Sequence, residues 1–189
     1  MDLSNFFDLY RNKFIPIYGD FVALSLTKPQ QILIEESNAL SHLSQVYNSN
    51  LEEGNRLDNL KKAEDHLVRA ILDTQKLLWI HLAKHLDLLI FDEKKRLCFN
   101  LPENEIINQP KQFLLKGRQA RNRELEHLGN DPLEAIDGYE EFIQIGYNLF
   151  KQVDQVKVDR VKKWTSIFKV RELEQICFVA FSIKTGDIL

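Results

Sequence analysis

The sequence has few of the residues that interrupt helices and few that form covalent cross-links. Seven glycines and five prolines occur in 189 residues, and they fall between segments of helical periodicity, which favours long helices with few connections. Only two cysteines are present, Cys98 and Cys177, each beside apolar residues. Because two thiols cannot build a disulfide framework, we expect the protein to work in a reducing compartment.

Long hydrophobic runs and an excess of basic residues are also missing. The longest apolar stretch, residues 176–183, falls well short of the roughly 18 residues that span a membrane, and the N-terminus does not resemble a secretory signal. The net charge is -3, so any site for a polyanion has to be a local basic patch. With 44% hydrophobic and 28% charged residues, the sequence predicts a globular, cytoplasmic protein without a membrane partner.

Apolar residues recur at intervals of three and four along most of the chain. This pattern predicts an all-α fold, an antiparallel bundle of four to five core helices with additional helices at both termini. We expect one domain over 1–189, with its core at about 57–153 and helical extensions at 1–50 and 154–189.

Local signals place the ends of these helices. The connector 91–110 is expected to be a loop, with a short hairpin as the alternative, and Gly129 and Asp131 are expected to cap the helices on either side of them. The other predicted elements are a helix capped by Ser4 that ends before Pro16, a turn at Gly19-Asp20, and helices over about 29–48, 57–90, 110–129 and 132–163.

Histidines are the first candidates for chemistry, because the sequence has no Gly-rich phosphate loop, GxSxG elbow or CxxC motif. His81 and His85 lie four residues apart on one predicted helix face and could bind a metal ion. However, no glutamate follows His81 as in HExxH, and no cysteine or carboxylate cluster stands nearby, so we interpret both as packing at the edge of an apolar stripe. His42 and His66 are interpreted as packing or surface histidines.

Residues 111–127 combine a dense basic cluster with a histidine. Arginine binds phosphate through its planar guanidinium, and histidine exchanges protons near neutral pH. These two residue types supply what metal-free RNA cleavage needs: a base, a cation for the phosphate and an acid for the leaving oxygen. The alternative is an ordinary solvated helix face, on which each charge pair contributes a few tenths of a kcal/mol. The basic residues are Lys111, Lys116, Arg118, Arg121 and Arg123.

The stretch from Arg121 to His127, RNRELEH, resembles the motif of the HEPN superfamily, in which an arginine, commonly followed by asparagine, precedes a histidine by four to six intervening residues; here five intervene. Residues 61–79 and 131–150 are similar to the helices that precede and follow the motif in that family. The resemblance covers about 57–153.

This resemblance implies a helical bundle that dimerises with the motifs of two protomers facing each other. It also implies metal-independent endoribonuclease activity without a cofactor, as in toxins and antiphage or RNA-processing effectors. Arg121 would then stabilise the phosphate, His127 would be the acid or base, and Asn122 would orient the substrate or His127. Arg118, Arg123 and Lys116 are the expected contacts to the RNA backbone.

Two features leave an alternative open. Glu126 stands where many members of the family have a small residue, and some members lack nuclease activity and act as binding or scaffold domains. The alternative is therefore a non-catalytic helical module that binds a nucleotide or a protein partner, such as an antitoxin or a nucleotidyltransferase. In addition, six residues at 100° each place His127 about 120° around the helix from Arg121, so the two meet only at a two-fold axis or a helix break.

Overall fold

The computed structural model describes residues 2–126 and 132–164. Within these ranges the chain forms helices joined by short turns. Phe99 and Val153 form an isolated antiparallel β-bridge. The all-α prediction is therefore confirmed. The helices are α1 (Ser4–Leu9), a π-helical turn (Tyr10–Phe14), α2 (Ile15–Ser25), α3 (Gln30–Val46), α4 (Glu53–Phe91), α5 (Glu93–Arg96), α6 (Glu103–Glu126), α7 (Pro132–Phe150) and α8 (Gln155–Trp164).

None of the helices in the described ranges combines the length and the apolar character that crossing a membrane requires. The chain divides into two compact units, Met1–Leu77 and Leu78–Ile188.

The N-terminal segment of the first unit differs from its prediction. Ser4, expected as the cap, is instead the first residue of α1, and its N–H donates to Asp2 Oδ1 at 2.8 Å. The chain does not leave the helix before Pro16. This proline is the second residue of α2, which continues without a break from the π-helical turn Tyr10–Phe14. The predicted turn at Gly19-Asp20 is helical instead.

Helices α3 and α4 form an antiparallel pair in the first unit. Ile32, Ala39 and Val46 are buried along one face of α3 at intervals of seven residues. The predicted second and third helices are confirmed to within four residues at each end. The buried face of α4 in this unit consists of Leu60, Ala63, Leu67, Val68, Ala70, Ile71 and Leu72.

Helix α6 of the second unit begins seven residues earlier than predicted. It starts at Glu103, and the Pro102 carbonyl accepts from the Ile106 N–H at 3.1 Å. Pro110, taken as the start signal, lies inside the helix and is buried. The expected loop or hairpin over 91–110 is thus replaced by α5, a short turn and the first turns of α6.

The predicted helix over 132–163 is in fact two helices, α7 and α8. The chain leaves the helix after Phe150 because the segment 152–154 pairs with the segment 98–100: Asn100 N–H donates to the Gln152 carbonyl at 2.9 Å, and Asp154 N–H donates to the Cys98 carbonyl at 2.8 Å. Asp154 Oδ1 then caps α8 by accepting from two N–H groups of its first turn. These backbone hydrogen bonds lower the pKa of Asp154. The caps expected at Gly129 and Asp131, and the tail after residue 164, lie outside the described residues.

Candidate functional site

The predicted motif lies on α6, which packs antiparallel against α7. Lys116 Nζ forms an ion pair with Glu141 at 2.8 Å, and the Tyr139 hydroxyl donates to Glu124 Oε2 at 3.0 Å. One of these contacts precedes the motif along α6 and the other lies inside it. They fix which side of α6 faces α7 and which side faces solvent.

Arg121 and Asn122 lie on the solvent side. Both are exposed, and neither forms a hydrogen bond or ion pair with any residue that the structure describes. Arg118, one turn earlier, is exposed in the same way. This part of α6 therefore presents two guanidinium groups and an amide that are available to a ligand.

The two remaining predicted RNA contacts are placed differently. Lys116 is half-buried and forms an ion pair with Glu141. This ion pair lowers the pKa of Glu141, and the charge of Arg123 lowers it by a smaller amount. Arg123 is exposed and lies seven residues after Lys116 on α6, close enough for its charge to act on Glu141 of α7. Both cations thus lie beside a carboxylate, which reduces the net charge that they offer to a phosphate.

His127, the predicted acid or base, lies outside the described residues. Helix α6 is regular up to Glu126, so five of the six residue steps from Arg121 to His127 follow ordinary helical geometry. The distance between the two side chains stays a prediction.

Two exposed leucines lie along the same face as the basic residues. Leu115 is 57% exposed and Leu125 is 56% exposed. Their spacing of three and four residues from Arg118 and Asn122 places all four side chains in one stripe. The surface is therefore both cationic and apolar.

A cavity of about 250 Å³ lies at the other end of α6, beside its first turn. Its walls are mixed: Phe99 and Ile106 are apolar, Arg96 is paired with Glu103, and Lys157 Nζ donates to the Phe99 carbonyl at 2.7 Å. The motif residues do not line this cavity.

His81 and His85 form the pair that the sequence singled out for a metal ion. Their ring centroids are 4.9 Å apart, and His85 is buried. Burial, and then the positive charges of His81, Lys84 and Lys95, lower the pKa of His85 from 6.5 to about 4. In the described ranges no group of three or more His, Cys, Asp or Glu side chains is arranged to hold a metal ion.

His42 and His66 meet, although the sequence interpretation treated them separately. Their ring centroids lie 5.3 Å apart between α3 and α4. The signal that could have revealed this is a matched spacing: Glu35 and His42 are seven residues apart on one helix, and Asn59 and His66 are seven residues apart on its antiparallel neighbour.

No family model, curated protein or solved structure matches this chain.

The chemistry available at the motif follows from its residue types. Exposed guanidinium groups bind phosphate oxygens, and the neighbouring amide can donate to or accept from a ribose or a base. The segment 103–150 contains one histidine, His127. Proton transfer near neutral pH at this surface therefore depends on that residue.

Proposed function

We propose that the protein is a metal-independent endoribonuclease of the HEPN type that acts as a homodimer. The observation that carries this proposal is the exposed Arg121-Asn122 pair, which has no partner among the described residues and precedes His127 at the spacing of the family motif. A toxin or an antiphage defence effector is the biological role that this activity would serve.

The proposed reaction divides the work among four side chains, two of them histidines. A histidine takes the proton of the ribose 2′-hydroxyl, and the oxygen attacks the adjacent phosphorus. Arg121 stabilises the additional negative charge on the phosphate, while Asn122 orients the substrate or His127. A second histidine protonates the leaving 5′-oxygen. The products are a 2′,3′-cyclic phosphate and a 5′-hydroxyl.

A dimer supplies the two histidines that this scheme needs. One protomer contributes a single His127, and a regular helix through residue 127 would turn it away from its own Arg121. A two-fold axis next to α6 would bring two arginines and two histidines into one cleft. Leu115, before the motif, and Leu125, within it, support this arrangement, because they add exposed apolar surface that a second copy would cover.

Cleavage of an end-labelled RNA in the presence of EDTA tests the proposal. We expect cleavage with chelator present, 2′,3′-cyclic phosphate ends, and a loss of about 10²-fold or more in rate for His127→Ala and for Arg121→Ala. Lys111→Ala is the matched control, because Lys111 is an exposed cation of the same helix that lies ten residues before the motif. If the Arg121 and His127 variants cleave as fast as the wild type, the site is wrongly assigned.

The second candidate is a non-catalytic module that uses this surface to bind a protein, such as an antitoxin or a nucleotidyltransferase. The exposed Leu115 and Leu125 favour it, because apolar side chains contribute little to binding a polyanion and much to a protein interface. In the same assay this candidate predicts RNA or partner binding without cleavage at any protein concentration.

A further inference from the structure

Glu124 is an acidic residue inside the motif, at a position from which it could neutralise Arg121. Residues three or four apart are neighbours on a helix, and Glu124 follows Arg121 by three positions on α6. In the sequence it is the one acidic residue at such a spacing from Arg121 or from Arg118. A contact between the Glu124 carboxylate and Arg121 would reduce the positive charge that this helix offers to a phosphate.

The Glu124 carboxylate contacts α7 instead. The Tyr139 hydroxyl donates a hydrogen bond to Glu124 Oε2 at 3.0 Å, and Glu124 is half-buried. Arg121, by contrast, is exposed and forms no hydrogen bond or ion pair with a residue that the structure describes. The two opposite charges are thus separated: the carboxylate reaches the neighbouring helix, and the guanidinium faces solvent.

The ring of Tyr139 is packed in the core between α6 and α7. Tyr139 is fully buried. Its ring centroid lies 5.4 Å from that of Phe142, which lies 5.7 Å from that of Phe113 on α6, and this packing fixes the position of the hydroxyl. A hydrogen bond from a fixed donor to a carboxylate stabilises more than an exposed ion pair between residues three apart on one helix. Glu124 therefore favours Tyr139 over Arg121.

We propose that Tyr139 is a positioning residue of the motif, which holds Glu124 away from Arg121 and so keeps the Arg121 guanidinium available to an RNA phosphate. Tyr139 acts through Glu124 and does not itself touch the substrate. Its role in RNA binding rests on the proposed function. The contact that it prevents, between Glu124 and Arg121, is a property of the protein without RNA and is measured separately.

Removal of the Tyr139 hydroxyl tests this role in the protein without RNA. Tyr139→Phe keeps the buried ring but takes this donor from Glu124, so the carboxylate should move to Arg121. An ion pair slows rotation of a guanidinium group, and we expect ¹⁵N NMR of the Arg121 side chain to show slower rotation in Tyr139→Phe than in the wild type. The double variant Tyr139→Phe, Glu124→Gln has no carboxylate at this position, and fast rotation should return.

Binding of an RNA probe measures the consequence for the motif. The probe is a fluorescent single strand with 2′-O-methyl groups, which blocks attack by the 2′-oxygen. A carboxylate about 4 Å from a bound phosphate weakens binding about fivefold in water. Tyr139→Phe should therefore lower the affinity about fivefold, and it should reduce the slope of log affinity against log salt by about 0.7, the value of one phosphate contact. The double variant should restore both quantities.

Tyr10→Phe is the matched control. The Tyr10 hydroxyl donates to Glu36 Oε1 at 3.2 Å, which is the same kind of hydrogen bond in the unit Met1–Leu77. This substitution should change neither the Arg121 rotation nor the RNA affinity. Thermal unfolding of each variant verifies that it is folded at the assay temperature. A merely structural role of Tyr139 would lower the RNA affinity without slowing the Arg121 guanidinium.

The two measurements separate the positioning role from the proposed function. A wild type that does not bind the RNA contradicts the proposed ribonuclease, and the NMR comparison still decides what Tyr139 does. Equally fast rotation of Arg121 in the wild type and in Tyr139→Phe would overturn the positioning role. If the wild type binds the RNA and Tyr139→Phe binds it equally well, the positioning role is overturned as well.

Discussion

His85 is an ionisable side chain that folding removes from water. It is 7% exposed, and its pKa falls from 6.5 to about 4 because burial and three nearby cationic residues disfavour the imidazolium. The unfolded chain therefore binds a proton at a higher pH than the folded chain does. As the pH falls from about 6.5 towards 4, protonation stabilises the unfolded state, and stability is lost.

This linkage predicts a specific pH dependence of the unfolding free energy. Between pH 7.5 and 4.5, His85 should account for a loss of up to about 3 kcal/mol. Urea unfolding of the wild type and of His85→Gln at both pH values isolates this part, since carboxylates contribute equally to both proteins. An equal loss in the two proteins would show that His85 is not held neutral by the fold.

Arg121 and Asn122 show how far single residues could be predicted. Their exposure follows from the sequence, because polar residues on a helix with an apolar stripe turn towards solvent. Their freedom from partners does not follow, because it depends on which side chains the nearby carboxylates of α6 and α7 contact. Glu141 meets Lys116, and Glu124 meets Tyr139, and this leaves Arg121 without an ion pair among the described residues.

At the scale of helices, periodicity predicted the long helices well, but the helix ends predicted from proline positions were wrong. Pro16 and Pro110 were both taken as boundaries, yet each lies inside a helix. A proline inside a helix removes a single backbone hydrogen bond, and packing can offset that loss. Pro110 is buried, so its ring contributes to the core. The end of α7 depends on pairing with residues more than fifty positions away, which no local pattern contains.

The close approach of α4 to α6 depends on a glycine. A methyl group at Gly117 would overlap the indole ring of Trp79, whereas a methyl group at Gly138 on α7 would meet nothing within 4 Å. Gly117→Ala should therefore lower the unfolding free energy by about 1–3 kcal/mol, because a rigid ring and a helix backbone have to move apart.

Gly138→Ala is the matched substitution and should raise the unfolding free energy by about 0.5–1 kcal/mol, because alanine favours the helix. Thermal or urea unfolding of both variants checks the pair. Equal effects of the two substitutions would show that the contact between Gly117 and Trp79 is not tight.

At the scale of the whole molecule, the central expectation is a dimer formed through the exposed face of α6. Leu115→Glu places a charge on that face, six residues before Arg121 and outside the motif. Burial of two leucines, one from each copy, would contribute about 3 kcal/mol or more, so this substitution should weaken dimerisation at least tenfold. Sedimentation velocity over a range of protein concentrations measures the change.

Val156→Glu on α8 is the control, because Val156 is 59% exposed and does not lie on α6. It should leave the sedimentation profile as in the wild type. A monomeric wild type at high concentration, or equal effects of the two substitutions, would contradict a dimer through this face.

The composition and periodicity of the chain were enough to predict an all-α molecule, because burying apolar stripes at 3.6-residue intervals requires helices that pack on one another. The pairing of distant polar residues was not predictable in the same way. His42 and His66 are separated by a turn and parts of two helices, and their meeting depends on how α3 and α4 align.

Two cross-helix hydrogen bonds also set that alignment: one joins His66 to Glu35, and the other joins His42 to Asn59. If α3 slid along α4 by one helical turn, about 5.4 Å, both cross-helix hydrogen bonds would break at once and the Glu35 carboxylate would lose its imidazole partner. The apolar contacts of Ile32, Ala39 and Val46 repeat along the helix and tolerate such a slip more easily. Polar contacts in an otherwise apolar seam thus make one register preferable to its neighbours. We therefore expect the pairing of these residues to depend more on the two helices than on the connection 47–52.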